Sequence, residues 1–269
     1  MTLAVAFVRA VRGRQDRQEL VFASDSRLSG GQRLDFGPKV FTLPRSDALL
    51  AMAGDTAYAY PLALHLQAAI AVFPRSVDRR FPLPNARGHM LRVFEQLYRS
   101  IHSLPPGEQL PLQDIPAVQF LFGGYVWHQS AFRIWSVKLD RTQRQFRFAS
   151  CGAFQFIGDQ EAVREARSDT ARTLRERGRT SDQIDMEPFE VLRDSIRSGR
   201  HAQVGGSPQV AKVYRHMNTQ MFSVLWSNEG STVPHVFGRP LLAPEVSAWP
   251  VFDPDALHFS ADGAQDAGE

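Results

Sequence analysis

The stretch from Gly37 to Ala57 reads GPKVFTLPRSDALLAMAGDTA and holds two short apolar runs followed by a change of period. Lys39–Leu43 and Ala48–Ala53 are typical of strands, because each is short and apolar and a Pro-containing turn separates them. After the second run the apolar positions recur at helical spacing, and Asp55 is a residue type that caps helices. The stretch therefore predicts two strands followed by a helix that ends near Phe73.

Strand and helix blocks continue to alternate on both sides of this stretch. Upstream, Thr2–Val8 and Glu19–Ser24 are strand-like, and the polar stretch Arg12–Gln18 between them predicts a hairpin connection. Downstream, one apolar face predicts a helix over Ala86–His102. The later blocks are three strands, two helices and two strands, at Val118–Tyr125, Phe132–Leu139, Gln145–Phe156, Gln160–Arg177, Glu187–Arg197, Gln209–His216 and Met221–Trp226.

The order of these blocks predicts the fold class. Strands, two helices, strands, two helices and strands follow one another, which favours an α+β chain with helices on two faces of stacked antiparallel sheets, a four-layer αββα sandwich. No repeat or linker divides the chain. We therefore expect one domain over residues 1–232 and an irregular, proline-rich C-terminal extension over residues 233–269. We expect about the last dozen residues to be disordered.

The composition favours a globular protein and argues against several partners. The chain has 31 Lys and Arg against 28 Asp and Glu, and the net charge of +3 is too small to indicate a nucleic-acid partner. Cys151 is the only cysteine, so an intrachain disulfide and a multi-cysteine metal site are excluded. No apolar run approaches the roughly 18 residues of a membrane span. We expect a cytoplasmic protein with neither a nucleic-acid nor a membrane partner.

Common catalytic signatures are missing from the sequence. It contains no G-x-S-x-G, H-E-x-x-H, C-x-x-C or phosphate-binding G-x-x-x-x-G-K-[ST] motif. The histidines are scattered without metal-ligand spacing, and Arg164–Arg179 mixes basic with acidic residues, as on a salt-bridged helix face. These observations predict neither a metal site nor an organic cofactor.

Four short segments in the first quarter of the chain form a more specific pattern. They are Thr2 at the start of the first strand, Ser24-Asp25-Ser26-Arg27, Gly37-Pro38-Lys39-Val40-Phe41 and Ala53-Gly54-Asp55-Thr56-Ala57. This succession resembles the proteasome-type β-subunits of bacteria, N-terminal-nucleophile hydrolases that include Anbu-like peptidases. Two later glycine turns extend the resemblance, Phe156-Ile157-Gly158-Asp159 and Gly205-Gly206-Ser207-Pro208-Gln209-Val210.

The resemblance implies a catalytic role for Thr2 once Met1 has been removed. The hydroxyl would be the nucleophile, and the α-amino group of the same residue, with an ordinary pKa of about 7.7–8.0, would be the base. By the same resemblance, Lys39 lowers the pKa of that amine, and Asp25 keeps the lysine charged and in place. The backbone N–H of Gly54, ahead of a helix, would receive the oxyanion.

The resemblance also implies substrate contacts, and the sequence departs from the family at two places. Met52 is expected to line the pocket beside the nucleophile, and Arg27 is expected to contact substrate. The family's Asp-x-x-Ser before the double glycine reads His201-Ala202-Gln203-Val204 here, and the serine expected after Gly158 is Asp159. Either Asp159 supplies the missing hydrogen bonds to the amine, or the site is weakened.

The implied function is that of a threonine-type peptidase. It would hydrolyse peptides or unfolded protein inside a homo-oligomeric ring or spiral, with an ATP-dependent unfoldase as a candidate partner. Two alternatives stay open, a non-catalytic scaffold subunit, which the loss of polar side chains at His201 and Val204 favours, and a small-molecule amidase. Ordinary roles also stay open for Thr2 as a β-branched strand residue and for Lys39 as a solvated cation.

Overall fold

The computed structural model describes most of the chain as strands and helices. The described residues are 2–11, 18–100, 117–140, 142–143, 145–228 and 230–260. The predicted connection Arg12–Gln18 therefore lies almost wholly outside the described residues, as does most of the predicted disordered end. Among the helices that are described, none combines the length and the apolar character needed to cross a membrane.

Fourteen described strands form two sheets. The nine-stranded sheet contains β1 (Leu3–Ala10), β2 (Gln18–Ser24), β8 (Phe154–Gly158), β9 (Gln209–Val213), β10 (Thr219–Asn228), β11 (Ser231–Val236), β12 (Arg239–Pro240), β13 (Val251–Asp253) and β14 (His258–Phe259). Its main path has the order β12-β11-β10-β9-β2-β1-β8. The five-stranded sheet has the order β3 (Val40–Thr42), β4 (Ala48–Gly54), β5 (Val118–Val126), β6 (Ala131–Asp140) and β7 (Gln145–Ser150). All pairs are antiparallel except that β13 pairs parallel to β10.

Five described α-helices accompany the sheets, together with single 3₁₀ turns at Trp127–Gln129 and Ser181–Gln183. The helices are α1 (Thr56–Ala71), α2 (Pro74–Val77), α3 (Leu83–Arg99), α4 (Gln160–Glu176) and α5 (Glu187–Ser198). The four longer helices that the sequence predicts are confirmed, with ends that differ by a few residues. Asp55 caps α1 as predicted, because its carboxylate accepts a hydrogen bond from the Ala57 N–H.

The predicted α+β chain with a four-layer αββα sandwich is wrong. The described structure is a mixed α/β fold with fourteen strands in two antiparallel sheets, in which 36% of residues are in strands and 31% in helices. The block order predicts no strand beyond Trp226, yet β11 to β14 pair outward from β10 and enlarge one sheet to nine strands. These segments are short, so their own period does not fix them as strands. They are fixed by pairing, β11 and β13 with β10, and β12 and β14 with those two strands.

The alternating side chains of β1 explain why this strand lies at the centre of the molecule. Leu3, Val5 and Phe7 join an apolar cluster with α4 and α5, whereas Ala4 and Ala6 join a second cluster shared by the two sheets. Successive strand residues point to opposite faces, so residues 3–7, which are apolar at every position, are buried on both sides. The start of β1 is therefore enclosed, and Thr2 is only 3% exposed.

Strand β9 of the nine-stranded sheet carries a buried lysine, Lys212. The ammonium of Lys212 lies 2.9 Å from a carboxylate oxygen of Glu19 and 3.2 Å from the centroid of the Phe259 ring. Burial lowers the pKa of Lys212 to about 8, although the charge of Glu19 opposes this effect. Lys212 thus makes part of the free energy of unfolding depend on pH.

We predict that the Lys212→Met variant removes a rise in stability between about pH 8 and pH 10.5. The unfolded chain keeps the Lys212 proton up to the ordinary pKa of 10.5, whereas the folded chain loses it near pH 8. The unfolded state binds more protons in this window, so the free energy of unfolding increases with pH, by on the order of 3 kcal/mol in total.

Urea unfolding of wild type and variant across this pH range measures the difference. Lys138→Met is the matched control, since Lys138 is exposed on β6. Equal pH slopes for wild type and Lys212→Met would contradict the assignment.

Candidate active site

The carboxylate of Asp25 is the centre of the candidate site. Asp25 directly follows β2, is fully buried, and donates its own N–H to the carbonyl of Leu3 at 3.1 Å. Oδ1 accepts from the Leu3 N–H at 3.1 Å and from Lys39 Nζ at 2.7 Å. Oδ2 accepts from the Arg27 N–H at 3.2 Å and from the Gly205 N–H at 3.0 Å. Four donors from four parts of the chain thus converge on one buried carboxylate.

Lys39 is buried and fixed at both its backbone and its ammonium. The side chain is 1% exposed, and Nζ donates to Asp25 Oδ1 and to the carbonyl of Arg27. The Lys39 N–H donates to Oε1 of Gln209 at 2.9 Å, and Nε2 of Gln209 donates to the carbonyl of Gly37 at 2.7 Å. Burial lowers the pKa of Lys39, while the charge of Asp25 acts in the opposite direction.

Thr2 lies immediately beside this ion pair. The Leu3 amide nitrogen and Lys39 Nζ both lie within hydrogen-bonding distance of the same Asp25 oxygen, so these two nitrogens are within about 6 Å of each other. Residue 2 carries the carbonyl that forms the Leu3 amide. The structure thus brings together three residues that the sequence places 14 to 37 positions apart.

The turn after β8 holds the backbone of Thr2. The Asp159 N–H donates to the Thr2 carbonyl at 2.8 Å, and Gly158 pairs with Leu3 across the β1–β8 ladder. Gly158 has φ of 131°, and a Cβ at this position would lie 1.7 Å from the Thr2 carbonyl oxygen. Only glycine allows this close approach. The Gly158 turn therefore fixes the position of residue 2.

The carboxylate of Asp159 has a different role from the predicted one in the contacts that the structure describes. Its Oδ1 accepts from the Glu161 N–H at 3.1 Å and from the Ala162 N–H at 3.2 Å, so it caps the N-terminus of α4. Asp159 contacts Thr2 through its backbone N–H. The predicted hydrogen bond from its side chain to the amine of Thr2 stays a prediction.

Met52 and Gly54 lie on β4, the strand that pairs with β3 directly after Lys39. The Met52 N–H donates to the Lys39 carbonyl at 3.0 Å, which places Gly54 two residues further along β4. Gly54 has φ of 109°, and its Cβ would lie 1.7 Å from the carbonyl oxygen of Ala117. The side chain of Met52 is 2% exposed and packs in the apolar cluster of α1 and α3. Gly54 ends β4 ahead of α1, as the predicted oxyanion role requires.

Arg27 joins two loops in the structure. Its guanidinium donates to both carboxylate oxygens of Asp35, at 2.6 and 3.1 Å, and to the carbonyls of Ala202 and Val204, at 3.1 and 3.3 Å. The guanidinium is therefore engaged with acceptors of the protein itself, and the substrate contact predicted for Arg27 gains no support from this geometry. Val204 is fully buried in the apolar cluster of α4 and α5.

Gln209 and Gly158 have structural roles that the motif comparison did not assign. A polar residue at the start of a mostly apolar strand, shortly after the double glycine Gly205-Gly206, was a usable signal for Gln209. The close approach of Gly158 to Thr2 depends on strand pairing across more than 150 positions and leaves no local signal. Among the residues that the structure describes, no group of three or more His, Cys, Asp or Glu side chains could hold a metal ion.

We predict that Gly158→Ala destabilises the protein by more than about 2 kcal/mol, because the methyl group meets the Thr2 carbonyl and the positive φ is strained for alanine. Urea unfolding measures the loss. Gly152→Ala is the control, since nothing lies within 4 Å of a Cβ at that glycine. A Gly158→Ala protein as stable as the Gly152→Ala protein would show that the turn does not press against residue 2.

Two comparisons of the sequence with known proteins give no match. A scan against protein-family models finds no match. A search of curated proteins likewise finds no similar sequence. The resemblance to proteasome β-subunits therefore stays a prediction from the sequence, and the geometry around Asp25 is the structural basis for a functional proposal.

Proposed function

We propose that the protein is a threonine-type peptidase in which Thr2, after removal of Met1, is the nucleophile. The observation that carries this proposal is the sharing of one Asp25 oxygen by the Lys39 ammonium and the amide that follows Thr2. A buried ion pair is costly unless it is fully hydrogen-bonded, and this one lies beside the start of β1, whose first six residues are all apolar. Catalysis at residue 2 gives this arrangement a function.

The charge of Lys39 suits the α-amine of Thr2 to act as a base. A neighbouring ammonium disfavours protonation of the amine and lowers its pKa, while Asp25 stabilises the charged form of Lys39. In the proposed reaction, Thr2 Oγ1 forms a bond to the carbonyl carbon of the substrate and the amine takes the hydroxyl proton. The C–N bond of the substrate then breaks, and the proton passes from the amine to the leaving nitrogen. Water activated by the same amine hydrolyses the resulting ester.

The N–H of Gly54 is the proposed donor to the oxyanion. It precedes α1, so the partial positive charge of a helix N-terminus adds to its effect. The positive φ of Gly54 and the hydrogen bond from the Asp55 N–H to the Ala117 carbonyl, at 2.9 Å, hold this corner in one conformation. A fixed donor stabilises the tetrahedral intermediate without reorganising during the reaction.

A non-catalytic scaffold subunit is the second candidate function. The observation that favours it is the burial of Val204 in an apolar cluster, at a position where the resemblance calls for a polar side chain near the nucleophile. In either case we propose a homo-oligomeric ring or spiral, as in the family that the first quarter of the sequence resembles. Removal of Met1 and reactivity of Thr2 separate the two candidates.

We predict that the purified protein lacks Met1 and that Thr2 reacts with a peptide epoxyketone, which forms bonds to both the hydroxyl and the amine of a terminal threonine. Intact mass spectrometry measures both events. Thr2→Ala should assemble without labelling, and Thr42→Ala, which alters an exposed threonine at the end of β3, should label as wild type does. Retention of Met1 throughout the sample, or equal labelling of Thr2→Ala, would rule out the proposed nucleophile.

We predict that Lys39→Ala slows the labelling of Thr2 by about 100-fold or more, because the amine then loses the charge that lowers its pKa. Lys138→Ala is the control, since this exposed lysine lies on β6. Circular dichroism checks that the Lys39→Ala protein is folded. Undiminished labelling of the folded variant would refute the role of Lys39.

A further inference from the structure

The turn from His201 to Gly205 connects the candidate site to α4. On its inner side, the Gly205 N–H donates to Asp25 Oδ2 at 3.0 Å. Arg27 donates to the carbonyls of Ala202 and Val204, at 3.1 and 3.3 Å, and thereby holds the middle of the turn. The position of the turn therefore determines one of the four hydrogen bonds that orient the Asp25 carboxylate.

On its outer side, the turn is held by a hydrogen bond between side chains. Nε2 of His201 lies 2.8 Å from Oε2 of Glu165 on α4, and the histidine side chain is only 10% exposed. Arg200 also donates to Glu165, at 3.3 Å. The hydrogen bond from His201 lowers the pKa of Glu165, which indicates that the carboxylate is ionised near neutral pH.

Helix α4 also contacts Thr2, the proposed nucleophile. Its N-cap residue, Asp159, donates its backbone N–H to the Thr2 carbonyl at 2.8 Å. The hydrogen bond between His201 and Glu165 thus completes a chain of contacts that runs from Thr2 through α4 and the turn to Asp25. At one end of this chain of contacts the backbone of Thr2 is held, and at the other end the Asp25 carboxylate, which binds Lys39, is held.

We infer that His201 is a positioning residue, whose bond to Glu165 keeps the Asp25–Lys39 pair aligned with Thr2. This inference rests on the proposed function. The other charged groups along the groove between α4 and α5 are Asp169, Arg172 and Asp194. Asp169 and Arg172 pair with each other on the surface of α4, at 2.8 Å, so Glu165 is the partner that the structure gives to His201.

We predict that His201→Ala lowers the maximal rate of epoxyketone labelling at Thr2 by about tenfold and leaves the half-saturating reagent concentration unchanged. The substitution loosens the alignment of reacting groups but leaves the surface that binds reagent intact. The turn retains the contacts with Arg27 and the hydrogen bond between Ser29 and Gln203, so we expect the variant to fold.

Three further variants test whether the effect passes through Glu165. Glu165→Ala should reproduce the His201→Ala rate, and the double variant should be no slower than either single variant, because both remove the same bond. His201→Gln keeps an N–H donor and should recover most of the wild-type rate. Arg172→Ala is the matched control on the same helix and should label at the wild-type rate.

Hydrogen exchange at the Gly205 amide provides a readout that does not depend on catalysis. His201→Ala should speed exchange at this amide, and Arg172→Ala should not. If wild type is not labelled at Thr2 but His201→Ala speeds this exchange, the proposed function fails while the link from His201 to the turn stands. Wild-type labelling kinetics in folded His201→Ala or Glu165→Ala, or additive losses in the double variant, would overturn the inference.

Discussion

The structure depends on one buried ion pair, between Lys39 and Asp25. Desolvating both charges costs more than their attraction returns unless every remaining donor and acceptor is satisfied. Asp25 meets this condition by accepting from β1, from the side chain of Lys39 just before β3 and from two turns, and Lys39 donates two of its ammonium hydrogens, to Asp25 and to a backbone carbonyl. The ion pair therefore constrains the start of β1, the end of β2, the start of β3 and the Gly205 turn together.

The residues of the candidate site were largely predictable from the sequence, but their contacts were not. Asp25, Lys39 and Gly54 carry recognisable local patterns because each lies at the end of a strand, where turn residues and charges stand out against apolar neighbours. The convergence of Asp25 and Lys39 beside residue 2 depends on contacts between distant segments. The side-chain contacts of Arg27 and Asp159 likewise follow from tertiary neighbours, Asp35 for the first and the first turn of α4 for the second.

The fold was predictable at the level of single elements and not at the level of architecture. Helices α4 and α5 each have an apolar face, and β1 and β4 are short, mainly apolar runs. The spacing of apolar residues was therefore sufficient to predict each of these elements. The extra strands β11 to β14 contain only two to six residues each. They exist because β11 and β13 pair with β10, and β12 and β14 then pair with those two strands. Sequence period does not report an edge, which is why the size of the larger sheet was missed.

The amide side chain of Gln209 has a further consequence for the smaller sheet. Strand β3 lies at the edge of that sheet, and Gln209 belongs to the other one. Its oxygen accepts from the N–H of Lys39 and its nitrogen donates to the carbonyl of Gly37, in the segment that leads into β3. One side chain thus bridges a buried donor and a buried acceptor of the same segment, as a peptide unit would, and ties the start of β3 to β9. A glutamate of the same shape lacks the N–H donor, so it would leave the Gly37 carbonyl unpaired inside the protein.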